Sequence, residues 1–131
     1  MNDLLDGARI ALCTDFAKKE EKMESDLRSG GCQPCEGGMA GLSAEAIQVG
    51  LQDLSGWQLD GNTLRRDCHF KNFYETMAFV NAVAWIANRE DHHPDMEVGY
   101  GCCVVRYSTH AIDGLTANDF ICARQINALL A

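Results

Sequence analysis

Between Asn72 and Pro94 the chain carries apolar residues every three or four positions, the spacing of a helix that buries one side. Asn72, with Glu75 three residues on, can cap its start, and Pro94 cannot continue it. Phe73, Met77, Val80, Ala84 and Ala87 form one stripe, widened by Phe79, Val83 and Ile86. A stripe this broad needs a sheet plus another helix or a second subunit to cover it.

Strand-like runs flank that helix on both sides. Upstream, Trp57 to Leu59 and Leu64 to Phe70 bracket Asp60-Gly61-Asn62, a hairpin signal in which Arg66 interrupts the alternation of Leu64, Cys68 and Phe70. Downstream, Met96 to Tyr100 and Cys102 to Ser108 pair about Gly99 to Gly101. Ser43 can cap a first helix carrying Ile47, Leu51 and Leu54, which Gly56 stops. Thr116 and Asp119 make a capping box for a last helix carrying Phe120, Cys122, Ile126, Leu129 and Leu130. The order helix, hairpin, helix, hairpin, helix defines an α+β fold: a four-stranded antiparallel sheet with helices packed on one face. That domain is assigned to residues 42–131. Residues 1–41 form an N-terminal extension and cysteine-containing leader, with a charged helical stretch from Ala17 to Leu27.

At 131 residues the chain has room for one core. Nineteen acidic residues against eleven basic ones give a formal charge of −8, which disfavours direct binding to nucleic acid or an anionic membrane. Seven cysteines are an odd number, and Cys102, Cys103 and Cys122 lie in apolar runs, so reduced thiols in a cytoplasmic protein are expected. Cys32-Gln-Pro-Cys35 supplies only half of a tetrahedral zinc set and is expected to be an ordered leader without chemistry.

Three of the four histidines, His92, His93 and His110, fall in one short stretch. Imidazole, with an ordinary pKa of ~6.5, both gives and takes protons near neutrality, so the cluster points to proton transfer or a metal. Pro94 pushes His93 toward extended geometry. If the second hairpin is tight, residues whose numbers sum to about 201 or 202 face each other, which sets His92 opposite the neighbourhood of His110. His69, between Cys68 and Phe70, is a solvent-side strand residue, and Tyr100 a packing residue beside a turn. Asp119 is explained equally well by its capping position and by contact with a ligand.

The spacing His92-His93-Pro94, Tyr100, His110, Asp119 resembles that of the pterin-4a-carbinolamine dehydratase family, over roughly residues 42–131. The resemblance implies dehydration of 4a-hydroxytetrahydropterin to quinonoid dihydropterin, in tetrahydrobiopterin recycling alongside an aromatic amino acid hydroxylase. It implies no metal or cofactor, and assembly as a homodimer or homotetramer. By resemblance, His92 and His110 transfer protons, His93 binds pterin or supports as a base, and Pro94, Asn88 and Asp119 contact substrate. Two positions depart from the family's habit: Asn88 stands where an acid is frequent, and Asn118 where some relatives carry arginine. These departures keep open a non-catalytic binding or dimerisation cofactor of a hydroxylase or transcription factor, and an enzyme acting on another pterin, as in molybdopterin metabolism.

Overall fold

The structure, a computed structural model, describes residues 32–33 and 40–131. The expectations for residues 1–31 and for Cys35 lie outside the described residues. Helix α1 (Ala44–Gln52) begins where Ser43 Oγ accepts a hydrogen bond from the Ala46 N–H at 3.2 Å. Strands β1 (Trp57–Asp60) and β2 (Thr63–His69) form the first hairpin, with Asp60 opposite Thr63. Its turn is therefore the pair Gly61-Asn62, and Gly61 takes φ +60°, a conformation that costs glycine little.

Helix α2 (Phe73–Glu90) starts at Asn72, whose Oδ1 accepts from the Glu75 N–H at 2.9 Å. Strands β3 (Asp95–Val98) and β4 (Cys102–Tyr107) make the second hairpin, and helix α3 (Ala117–Leu130) follows a single 3-10 turn at His110–Ile112. The antiparallel sheet has the order β1-β2-β4-β3, so the two hairpins join through β2 and β4. The expected α+β architecture is what forms.

One sheet face, bearing Leu64, Cys68, Cys103, Val105 and Tyr107, is buried beneath Phe79, Val83 and Ile86 of α2 and Phe120 and Ile126 of α3. The other face is open and polar, with Arg65 Nε on Asp67 Oδ1 at 2.8 Å and Arg106 Nη1 on Glu97 Oε1 at 2.8 Å. Those pairs lie in water and are screened by it, so the apolar face holds the layers together. Arg66 emerges at the rim of the core face. Its guanidinium donates to Ser55 O at 2.8 Å and to Asn127 Oδ1, which also accepts from Trp57 Nε1 at 2.8 Å. The interrupted alternation is therefore a peg between β2 and α3.

Two expectations shift. The buried side of α2 is Thr76, Phe79, Val83, Ile86 and Ala87, while Phe73 is 48% exposed and Met77, Val80 and Ala84 sit on its flank. The widening residues are the core stripe, because the helix lies with its i, i+3, i+4 row from Thr76 onto the sheet. The compact unit begins at Cys32, ahead of the assigned residue 42, because Cys32 and Gln33 bond to α2 and α3.

Helix α1 docks its backbone against α3. A Cβ on Gly50 would stand 2.5 Å from Phe120 Cε1, and Phe120 is 3% exposed, so its ring has little room to yield. Glycine to alanine in a helix normally gains ~0.5–1 kcal/mol, whereas overpacking a core costs ~1–3 kcal/mol. Gly50→Ala is therefore expected to lower stability in urea unfolding, and an unchanged or higher midpoint would show that Phe120 moves aside freely.

Candidate functional site

Helix α2 ends because Asp91 adopts a left-handed conformation, φ +51°, which aspartate tolerates better than most side chains. The reversal lets the His92 N–H reach back to Ala87 O at 3.1 Å and delivers His92, His93 and Pro94 in extended form to the start of β3. In that hairpin opposed residues sum to 201, as Asp95 with Arg106. Carried two and three residues further, the register sets His93 opposite Ser108 and His92 opposite Thr109. Across the gap, Asp113, also left-handed at φ +49°, closes the 3-10 turn that carries His110.

The result is an open cleft of about 290 Å³ lined by Asp91, His92, His93, Pro94 and Asp95 on one side and Ser108, Thr109, His110 and Ala111 on the other. It is near the small end of ordinary ligand pockets, ~300–1,000 Å³. A second cleft of about 370 Å³, between Leu42, Ile47, Leu59, Ile112 and Leu115, has no ionisable side chain in its wall and is ill suited to proton chemistry. Among the described residues, no three His, Cys, Asp or Glu side chains gather as a metal donor set.

His92 is 6% exposed, and its Nε2 lies 2.6 Å from Asp119 Oδ1. A carboxylate only accepts, so Nε2 carries the hydrogen. Asp119 Oδ2 takes two more, from the Thr109 hydroxyl at 2.8 Å and the Thr116 N–H at 2.9 Å. Since Thr109 spends its one hydrogen on Asp119, the Thr116 hydroxyl donates to Thr109 Oγ1 across 2.9 Å. Tyr107 completes the housing: its ring stacks on His92 at 5.4 Å, and its hydroxyl donates to His92 O at 3.4 Å. Burial pushes the Tyr107 phenol up, so it stays protonated.

Burial alone would discharge His92, but the Asp119 hydrogen bond and negative charge outweigh it and raise the imidazole above its ordinary value. His93 is exposed, with Nε2 3.1 Å from Asn88 Oδ1. An amide oxygen only accepts, so His93 Nε2 carries a hydrogen. His110 is exposed on the opposite wall.

Of the residues singled out from sequence, His92, His93, Pro94 and His110 meet at this cleft. Asn88 and Asp119 do not line it, and each sits one hydrogen bond behind a histidine. Asp119 is 0% exposed with both oxygens occupied, so the direct substrate contact expected of it gives way to a hold on His92. Tyr100 is 72% exposed rather than packed, because the turn carries it off the sheet end. Sequence reasoning did not find Ser108 and Thr109, and it named Asp91 only as a neighbour of the missing acid at position 88. Strand alternation running on from Tyr107 would have placed Thr109 inward, whereas the left-handed Asp91 leaves no pattern in sequence. Glu90 faces away, accepting from Gln125 Nε2 at 3.0 Å. Asn118, the other departure, is also turned from the cleft and grips the Gln33 backbone, accepting from its N–H at 2.9 Å and donating to its carbonyl at 2.7 Å.

A small α+β domain with three imidazoles about an open cleft, one of them raised above its ordinary value by a buried carboxylate, is equipped to move protons on a small ligand. The chain belongs to the pterin 4 alpha carbinolamine dehydratase family, whose sequence pattern matches residues 40–129. It is 58% identical over 104 residues to a Nitrosospira multiformis protein provisionally named pterin-4-alpha-carbinolamine dehydratase, covering 79% of this chain and 92% of that one. A Legionella pneumophila (strain Corby) protein of the same provisional name is 56% identical over 111 residues, covering 82% and 98%. The fold matches a crystal structure described as a transcriptional coactivator/pterin dehydratase from Brucella melitensis, with TM-score 0.67 and 32% identity over 70% of this chain and 100% of that one.

The raised His92 value fixes a sign for stability. A group whose folded pKa exceeds its unfolded ~6.5 stabilises fully below that pH and loses the contribution as pH climbs through the folded value. The stability gap between the protein and Asp119→Asn, by urea unfolding, is therefore expected to be widest near pH ~6 and to narrow above ~6.5. A gap that grows with pH would show that the carboxylate does not charge His92.

Proposed function

We propose that the chain dehydrates 4a-hydroxytetrahydropterin to quinonoid dihydropterin and water in the cleft between Asp91 and Ala111. The reading rests on one observation: the cleft wall holds two imidazoles with unlike partners, His92 raised by its bond to the buried Asp119 carboxylate and His93 against the neutral Asn88 amide oxygen. Dehydration needs that pairing. The hydroxyl on carbon 4a leaves as water once it gains a proton, and N5 beside it must lose one so that the N5–C4a double bond can form.

In this scheme His92 gives its proton to the departing hydroxyl, and His93 Nδ1 takes the N5 proton. His110, on the far wall, flanks the ring and passes protons between cleft and solvent. His110 thus keeps the proton-transfer role expected of it, and His93 takes the base role that the resemblance offered it beside pterin binding. Asp119, Thr109 and Tyr107 act through His92, and Asn88 through His93. A carboxylate at position 88 would orient His93 equally well, so the asparagine retains the orienting function and forgoes only the charge.

The same reading sets the enzyme in cytoplasmic tetrahydrobiopterin recycling, where an aromatic amino acid hydroxylase supplies the carbinolamine. Phe73, Tyr74 and Trp85, between 48% and 87% exposed on α2, support a homodimer or homotetramer through that helix. They equally suit a second reading, a binding module for a hydroxylase or another protein. Light scattering at micromolar concentration is expected to give at least a dimer, and a monomer would count against assembly through α2.

Stopped-flow dehydration of freshly generated 4a-hydroxytetrahydrobiopterin separates the two readings. A rate above the spontaneous one, unaffected by a chelator and lowered ~10²-fold or more by His92→Ala or His93→Ala in folded protein, is the expected result. No gain over the spontaneous reaction would sink the dehydratase reading for this substrate and leave binding or another pterin.

A further inference from the structure

Cys32 and Cys122 stand 90 positions apart in the chain, yet their sulfurs approach to 3.7 Å. Both are free thiols, Cys32 half-buried and Cys122 fully buried on α3. The backbone around Cys32 is pinned rather than draped. Its N–H donates to Glu90 Oε2 at 3.4 Å, and the next residue, Gln33, is held through both backbone groups by the Asn118 amide. Asn118 and Cys122 lie four residues apart on one side of α3, so the same helix grips the segment and presents the second sulfur. A disulfide is ~2.04 Å long, so the sulfurs need to close less than ~2 Å.

We propose that Cys32 and Cys122 are a redox-modifiable dithiol that closes reversibly to a disulfide, fastening the segment at Cys32-Gln33 to α3. The oxidant is a low-molecular-weight disulfide. Cys32, the sulfur that solvent reaches, attacks one sulfur of that disulfide, forming a mixed disulfide and releasing one small thiolate. Cys122 then attacks the Cys32 sulfur, and the second small thiolate leaves. Two protein thiols are oxidised, one small disulfide is reduced to two thiols, and the two protein protons pass to the departing thiolates.

In the reduced pair the Cys32 thiol, helped by His92, lowers the Cys122 thiol below its ordinary value, while Cys32 rises in return because its hydrogen is shared with Cys122, so Cys32 must give up that hydrogen before it attacks. Sulfur proximity alone does not mark a redox pair. Cys68 and Cys103 oppose each other on β2 and β4, but both are closed in the core, where a small disulfide cannot reach them. The expectation that the leader holds no chemistry therefore changes for Cys32, with Cys122 rather than Cys35 as its partner.

The test uses the full reduced chain incubated with oxidised glutathione, alkylated, and digested with trypsin without reduction. Fragment 107–124 holds Cys122 as its one cysteine, and fragment 29–65 holds Cys32 and Cys35. The expected product is these two fragments joined, two hydrogens lighter than their sum, persisting in Cys35→Ser and lost in both Cys32→Ser and Cys32→Ala. Because the bond closes a long loop, the oxidised chain is expected to melt ~5 °C or more above the reduced one, reversibly with dithiothreitol. A Cys32–Cys35 bond, a lasting glutathione adduct on Cys32, or free thiols at both positions in excess oxidant would overturn the proposal. A joined product with no rise in melting temperature would overturn the fastening of the segment.

Discussion

Asp119 is the knot of this domain. Its carboxylate is wholly buried, and its three hydrogen bonds come from three places: the exit of α2 through His92, the end of β4 through Thr109, and the start of its own helix through Thr116. Burying a lone carboxylate is costly, and removing one partner of a buried pair commonly costs ~3–5 kcal/mol. An imidazole and two neutral donors offset that cost here. The carboxylate that settles the helix start is also the group that raises His92, so packing and proton chemistry share one residue.

The division of labour around the cleft follows from exposure. His92 is enclosed by Tyr107, Asp119 and Thr109 and cannot change its rotamer without breaking a fully satisfied network. His93 and His110 stand open to solvent on opposite walls. One imidazole is thus held still while two remain accessible to a ligand. Asn88 extends the logic by engaging His93 Nε2 with an uncharged oxygen.

Most of the architecture was legible because it is written in local chemistry. Asn72, Ser43, Gly61 and the Thr116–Asp119 pair each name a helix start or a turn, and the hairpin register carried His92 to the end of β4 without knowledge of the tertiary fold. What escaped depends on long-range packing. Which side of α2 meets the sheet is decided by where Phe120 and Ile126 of α3 come to rest, so the Phe73 row and the Phe79 row could not be ranked from periodicity. The same holds for Asp119, whose capping role is local but whose bond to His92 spans 27 positions. The placing of Cys32 and Gln33 could not be foreseen either, since both partners lie on elements far along the chain.

The span between His92 and Asp119 also bears on biogenesis. A ribosome makes His92 and both hairpins, hence the whole sheet, before it makes the carboxylate on which His92 rests. Until α3 arrives, Val105 and Tyr107 have half of their cover missing and the histidine has no counter-charge. The cleft is thus a late product of synthesis, completed by the same docking event that seals the apolar layer. A nascent chain halted short of that helix would expose a sticky surface and an unfinished site together.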